Sequence, residues 1–153
     1  MVRLVRFAPS RSVFPLATPA GDSPDPDGRA TMRKKILLVD DSATAIMWER
    51  LILQKEPYTL EVARDGVEAV EKAKAAPPDL ILMDVVMPRM DGFEAVRTLR
   101  AQPKTRDVPI IMVTTRGEAQ NVERGFANGC NDYVTKPIDR LELLSKVRSY
   151  LES

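Results

Sequence analysis

From Lys35 onward, short apolar runs alternate with longer stretches whose apolar residues recur at helical spacing. This is the pattern of an α/β sheet with parallel strands. It predicts strands over 36–39, 58–62, 80–83, 110–113 and 133–135, and helices over 43–55, 67–75, 92–101, 118–127 and 140–151. Three strands, Ile36-Leu-Leu-Val39, Leu80-Ile-Leu-Met83 and Ile110-Ile-Met-Val113, are apolar at every position, as central strands covered on both faces must be. The strand beginning at Tyr58 alternates more and belongs at an edge. In the last helix Leu141, Leu144, Val147 and Leu151 recur at helical spacing and predict one buried stripe. Pro77-Pro78, Pro103 and Pro109 stand just ahead of strands, where a helix must stop in any case.

Residues 1–31 break the pattern. Pro9, Pro15, Pro19, Pro24 and Pro26 fall here with Gly21 and Gly28, and no periodicity is sustained, so the segment is expected to be a disordered extension. Arg3 and Arg6 ahead of apolar residues ending in Ala17-Thr-Pro-Ala20 faintly resemble an export signal, but Arg11 and Pro15 interrupt the apolar stretch. Residues 32–153 then form one domain, with no repeat and no second domain left over.

The informative positions are the strand ends. The first strand runs into Asp40-Asp41, the third into Asp84, the fourth into Thr114-Thr115 and the fifth into Lys136-Pro137. In a parallel sheet these carboxyl ends share one rim, which is where ligands bind near the reversal of strand order. Three carboxylates brought together there repel, and either raise a pKa or demand a cation. Oxygen ligands without nearby nitrogen or sulfur select Mg²⁺, commonly shared with phosphate oxygens. Lys136 would add a compact cation, and the Thr114 hydroxyl a hydrogen bond, for an anion joining the metal. Phosphoryl transfer to a carboxylate needs such a set. Taken singly, each element has a plainer explanation: Asp40-Asp41 as a solvated turn, Ser42 as a helix cap, Thr114-Thr115 as strand packing, Lys136-Pro137 as a turn. Together they would require four coincidences.

Composition narrows the chemistry further. The 153 residues have 44% hydrophobic content, enough for one core, and their charges nearly cancel to +1, which leaves no excess basic field for nucleic acid or anionic lipid. The absence of histidine excludes histidine-based triads, histidine zinc sites and a phosphohistidine carrier. Cys130 is the only cysteine, and no apolar run approaches the roughly 20 residues of a membrane span, so the reading is a soluble, cytoplasmic protein.

Residues 35–151 resemble the receiver domain of bacterial two-component response regulators, of the single-domain, chemotaxis-regulator-like type. The resemblance rests on Lys35-Ile-Leu-Leu-Val-Asp-Asp41, Leu80-Ile-Leu-Met-Asp84, Met87-Pro-Arg-Met-Asp-Gly92 and Tyr133-Val-Thr-Lys-Pro137. It implies a flavodoxin-like (βα)5 doubly wound sheet in the order 2-1-3-4-5. It makes Asp84 the phosphoacceptor, with Asp41, Asp84 and the Val86 carbonyl on Mg²⁺ and Asp40 acting through a bound water. Thr114 and Lys136 would hold the phosphoryl oxygens, Lys136-Pro137 would be a cis peptide, and Thr114 would couple to the rotamer of Tyr133 as the switch. The implied donor is a histidine kinase or histidine phosphotransfer domain. With no output domain after Ser153, the implied output is contact with a downstream protein, by a monomer or a phosphorylation-dependent dimer.

Some positions depart from the family pattern. Val86 is apolar where many relatives carry a polar side chain able to orient water, Thr115 is bulkier than usual, and Arg116 could screen the site or reach toward it. A long-lived phosphoryl group is therefore expected. The first helix carries Ile46, Met47, Trp48, Leu51, Ile52 and Leu53, more than one stripe needs, so some should be exposed. They would either dock the donor or pack on the last helix.

Three other readings compete. A haloacid-dehalogenase-type hydrolase needs Asp-x-Asp, whereas Asp40-Asp41-Ser42 lacks the spacing. A receiver serving as a constitutive module would have lost an acidic, Thr or Lys position. Nucleotide binding lacks a glycine-rich phosphate loop.

Overall fold

Strands without a polar residue are stable in water only when helices cover both faces, and that requirement organises the protein. The computed structural model describes residues 33–115 and 119–152, so the expectations for segment 1–31 and for Arg116 lie outside the described residues. The elements run β1 (Lys34–Val39), α1 (Ala43–Leu53), β2 (Tyr58–Ala63), α2 (Gly66–Ala75), β3 (Leu80–Asp84), α3 (Gly92–Arg100), β4 (Ile110–Thr115), α4 (Ala119–Asn128), β5 (Asp132–Lys136) and α5 (Arg140–Leu151). All strands pair in parallel, in the order β2-β1-β3-β4-β5. This is the 2-1-3-4-5 flavodoxin-like order, with the Tyr58 strand at the expected edge.

Successive strand side chains point to opposite faces and so divide the core in two. Leu37, Val39, Ile81, Met83 and Met112 pack with Phe93, Val96 and Leu99 of α3 and with α2. Ile36, Leu38, Leu82, Ile111 and Val113 pack with Ile46, Ile52 and Leu53 of α1 and Leu143, Leu144 and Val147 of α5. Each such side chain contributes roughly 1.5–3 kcal/mol when removed from water. The buried stripe of α5 is Leu143, Leu144, Val147 and Leu151, and Leu141 is exposed, contrary to the sequence pattern. At about 100° per residue, Leu141 lies well round the helix from Val147, whereas Leu143 stands one turn before it.

Four helices begin with a side chain that accepts an otherwise orphaned backbone N–H: Ser42 from Ala45, Asp65 from Glu68, Asp91 from Glu94 and Asp139 from Glu142. Ser42 is thus a cap, as its plainer reading had it. β3 includes Asp84 and β4 extends through Thr115, so the polar strand ends are held in the ladder itself.

Glycine at 92 is dictated by that end of the sheet. A Cβ there would lie 2.2 Å from the Asp84 carbonyl oxygen and 3.0 Å from the Val85 Cα. The close approach lets the Gly92 N–H donate to the Val85 carbonyl at 2.8 Å, pinning α3 against the end of β3. Gly92→Ala should therefore destabilise the fold by roughly 3 kcal/mol, read as a lower denaturant midpoint in equilibrium unfolding. An unchanged midpoint would contradict the packing described.

Candidate functional site

The sheet register brings the polar strand ends level. Val39 pairs with Met83, so the next residues, Asp40 and Asp84, emerge side by side; Asp84 pairs with Val113 and Thr114 with Thr135, which places Thr114 and Lys136 just beyond. Asp40 is fully buried, Asp84 and Thr114 are buried, and Asp41 is exposed at the mouth. One carboxylate oxygen from each of Asp40, Asp41 and Asp84 lies within 4.8 Å of the others. The Lys136 Nζ spans the group, 3.1 Å from Asp40 Oδ2 and 3.3 Å from Asp84 Oδ1. Asp40 Oδ1 accepts the Ser42 N–H at 2.9 Å, so both of its oxygens are engaged. The Thr114 hydroxyl makes only a long contact, 3.5 Å, to the Thr115 carbonyl. Thr115 and Val86 are exposed, and the Lys136–Pro137 peptide is cis.

The charges respond to this crowding. Burial, then the charge of Asp40, raises the Asp84 pKa to about 6 against the pull of Lys136. Burial opposes the Lys136 ammonium, but Asp84 and Asp40 outweigh it and hold its pKa above the usual value. Three hard oxygen donors, one at the solvent edge, fit a small divalent cation such as Mg²⁺, and nothing softer is present among the described residues at the cluster. The set is under-neutralised, since one ammonium faces three carboxylates.

The loop after β3 is fixed from outside. Arg89 takes the left-handed conformation, φ 68°, and its guanidinium forks onto the Asp65 carboxylate at 2.9 and 3.0 Å, while the Met90 carbonyl accepts the Gly66 N–H at 3.2 Å. Tyr133 is half-buried at the opposite side of the rim. Its ring meets Phe126 edge-on at 6.2 Å, Lys146 Nζ sits 4.8 Å from its centroid, and Lys146 also donates to its carbonyl. On α1, Ile46, Ile52 and Leu53 pack into the core shared with α5, whereas Met47, Trp48 and Leu51 are exposed. The Trp48 Nε1–H donates to the Ile138 carbonyl at 3.0 Å, two residues beyond Lys136.

One residue at the site escaped the sequence reading. Glu49 projects from the inward face of α1, buried, with the charges of Asp40, Lys136 and Asp84 acting on it. Its signal was present: it falls at the apolar spacing set by Ile46, Ile52 and Leu53, where a charged residue is out of place.

A family model for the response regulator receiver domain matches residues 36–148. The chain belongs to that family. It is 37% identical over 117 residues to Protein PilH of Pseudomonas aeruginosa, a match covering 76% of this chain and 97% of that one. It is 40% identical over 121 residues to the transcriptional regulatory protein ResD of Bacillus subtilis, covering 79% of this chain and 49% of ResD. The chain thus spans about half the length of ResD and of several other relatives it matches. Among solved structures it resembles the Vibrio cholerae chemotaxis response regulator CheY4, with TM-score 0.73 and 37% identity over 78% of this chain and 99% of that one. It also resembles the receiver domain of a Pseudomonas aeruginosa sensor histidine kinase, with TM-score 0.74 and 35% identity over 79% of this chain and 99% of the other; that structure has a magnesium ion coordinated in its active-site cleft. The matched domain thus belongs with the receivers of two-component response regulators.

The electrostatics fix how stability should vary with pH in chelator. Glu49 and Asp84 have folded pKa values raised to about 8 and about 6, so the folded state holds their protons more tightly than the unfolded chain does. Stability must then fall as pH rises from the ordinary carboxylate range through these values. Asp65 and Glu68, shifted down, lose their contribution only on stronger acidification. The melting temperature in EDTA should accordingly drop between pH 5.5 and 8.5, with Glu49→Gln flattening most of the slope. A melting temperature that is constant or rises with pH would contradict the burial of these two carboxyls.

Proposed function

We propose that the protein is a phosphorylation-driven switch of a two-component or phosphorelay pathway. In this reading Asp84 accepts a phosphoryl group from the phosphohistidine of a kinase or phosphotransfer domain. The supporting observation is the Lys136 ammonium lying between Asp40 and Asp84 at the carboxyl edge of a parallel sheet. Residues 32–153 act as the receiver and residues 1–31 as an extension. An Asp84 oxygen forms the new O–P bond as the donor N–P bond breaks; the imidazole keeps the electron pair and takes its proton from solvent. Lys136 turns from the Asp84 carboxylate to the phosphoryl oxygens, and the Thr114 hydroxyl, weakly engaged beforehand, donates to another. Asp41, Asp84 and the Val86 carbonyl would hold Mg²⁺, with Asp40 behind a bound water. When bound, the cation offsets charge on the carboxylates and phosphoryl oxygens.

The readout uses the same residues. Drawing Thr114 toward the phosphoryl group vacates space beside Tyr133, whose ring leaves the Phe126 and Lys146 contacts and remodels the face of α4, β5 and α5. A downstream protein reads that face. The apolar Met47, Trp48 and Leu51 on α1, which starts beside Asp41, give the histidine-bearing donor a docking surface. Nucleic acid and membrane have no part in this reading, which places a monomer or a phosphorylation-dependent dimer in the cytoplasm; no described helix is long and apolar enough to cross a membrane.

Incubation with acetyl phosphate and Mg²⁺ should give an acid-stable, hydroxylamine-labile modification that Asp84→Asn abolishes and Lys136→Ala slows by at least about tenfold. Failure of the wild type to react with any phosphodonor would favour a constitutive interaction module. Because Val86 is 72% exposed yet apolar and offers no polar group to orient water, the phosphoryl group should persist for minutes or longer in purified protein with Mg²⁺. A half-life of seconds would contradict this.

A further inference from the structure

The placement of Glu49 opposes the logic of the fold. It lies on the α1 face that carries Ile46, Ile52 and Leu53 into the core, so an aliphatic side chain would suit the helix and the packing. Instead the position holds a carboxyl that is 1% exposed, and its Oε1 has no hydrogen-bond partner among the described residues. A buried polar atom left unpaired costs stability, and an ionised one costs more. Among the described residues the charged groups acting on it are Asp40, Lys136 and Asp84, the inner members of the site. A second ammonium or guanidinium would be the ordinary remedy for such a carboxyl; among the described residues the Lys136 ammonium is already shared by Asp40 and Asp84, and a cation entering the aspartate cluster would add the missing positive charge.

We propose that Glu49 is a positioning residue for the divalent cation, a fourth carboxyl in addition to Asp40, Asp41 and Asp84 that deepens the negative potential of the cluster and tightens Mg²⁺ binding without itself ligating the ion. The proposal rests on the cation-dependent reading of the site given above. Glu49 is buried on the inward face of α1, as Asp40 is at the end of β1, so it adds charge without taking space at the mouth, where Asp41 is exposed. The instability of the unpaired carboxyl in the cation-free protein becomes affinity when the cation arrives, since the same charge that is costly alone is attractive to Mg²⁺.

The test is calorimetric titration of the unphosphorylated protein with MgCl₂ at pH 9, above the raised Glu49 pKa of about 8, so that the carboxyl is ionised with and without the cation. Wild type, Glu49→Gln, Glu49→Leu and Asp41→Asn are compared, each checked for a cooperative melting transition. Glu49→Gln, which keeps shape and removes charge, should weaken Mg²⁺ binding roughly three- to tenfold. Glu49→Leu should weaken it by a similar factor while raising the melting temperature of the cation-free protein. Mg²⁺ dissociation constants for both variants within twofold of wild type would overturn the role of Glu49. Absence of Mg²⁺ binding by wild type, or binding unaffected by Asp41→Asn, would instead overturn the cation site on which the proposal rests.

Discussion

The repulsion among Asp40, Asp41 and Asp84, set against a single ammonium from Lys136, is the constraint on which the rest of the structure depends. Carboxylate oxygens within 4.8 Å of each other would separate if their backbones were free to move. They are not free, because each is attached to the end of a strand paired on both sides and covered on both faces. Hydrophobic burial in the two cores therefore holds together a site that electrostatics alone would push apart. Burial first, and then the charge of Asp40, holds the Asp84 carboxyl above the ordinary carboxylate range. In the proposed function an incoming cation and phosphoryl group would relieve the repulsion, so that the site responds to chemistry instead of merely containing it.

Much of this was legible in the chain. The all-apolar runs ending at Val39, Met83 and Val113 marked central strands, and in a parallel sheet those ends share one edge, so Asp40, Asp84, Thr114 and Lys136 could be grouped before any coordinates. Strand order was legible only through family resemblance, because apolar runs do not say which neighbour each strand pairs with. Leu141 was misplaced because helical spacing admits two overlapping stripes in a leucine-rich helix, and the tertiary partner chooses between them. Glu49 was passed over because a charged residue on α1 reads as surface, although its spacing from Ile46, Ile52 and Leu53 puts it on the inward face.

The site connects to two distant surfaces through short links. Trp48 on α1 is bonded to the Ile138 carbonyl, two residues past Lys136, so the apolar surface on that helix is tied to the residue that contacts Asp84. On the other side Tyr133 lies on β5 three residues before Lys136, held by Phe126 and Lys146. In the proposed function the first link serves entry of the phosphoryl group and the second its readout. The loop after β3 is tied down separately, through the Arg89 guanidinium on the Asp65 carboxylate.

The central claim is that the crowded rim makes one particular carboxylate the nucleophile. Reduction with borohydride after treatment with a small phosphodonor and Mg²⁺, followed by peptide mapping, converts a phosphorylated aspartate to homoserine and so identifies the residue directly. The account predicts homoserine at position 84 and intact aspartate at positions 40 and 41. Homoserine at 40 or 41, or at none of the three, would contradict it.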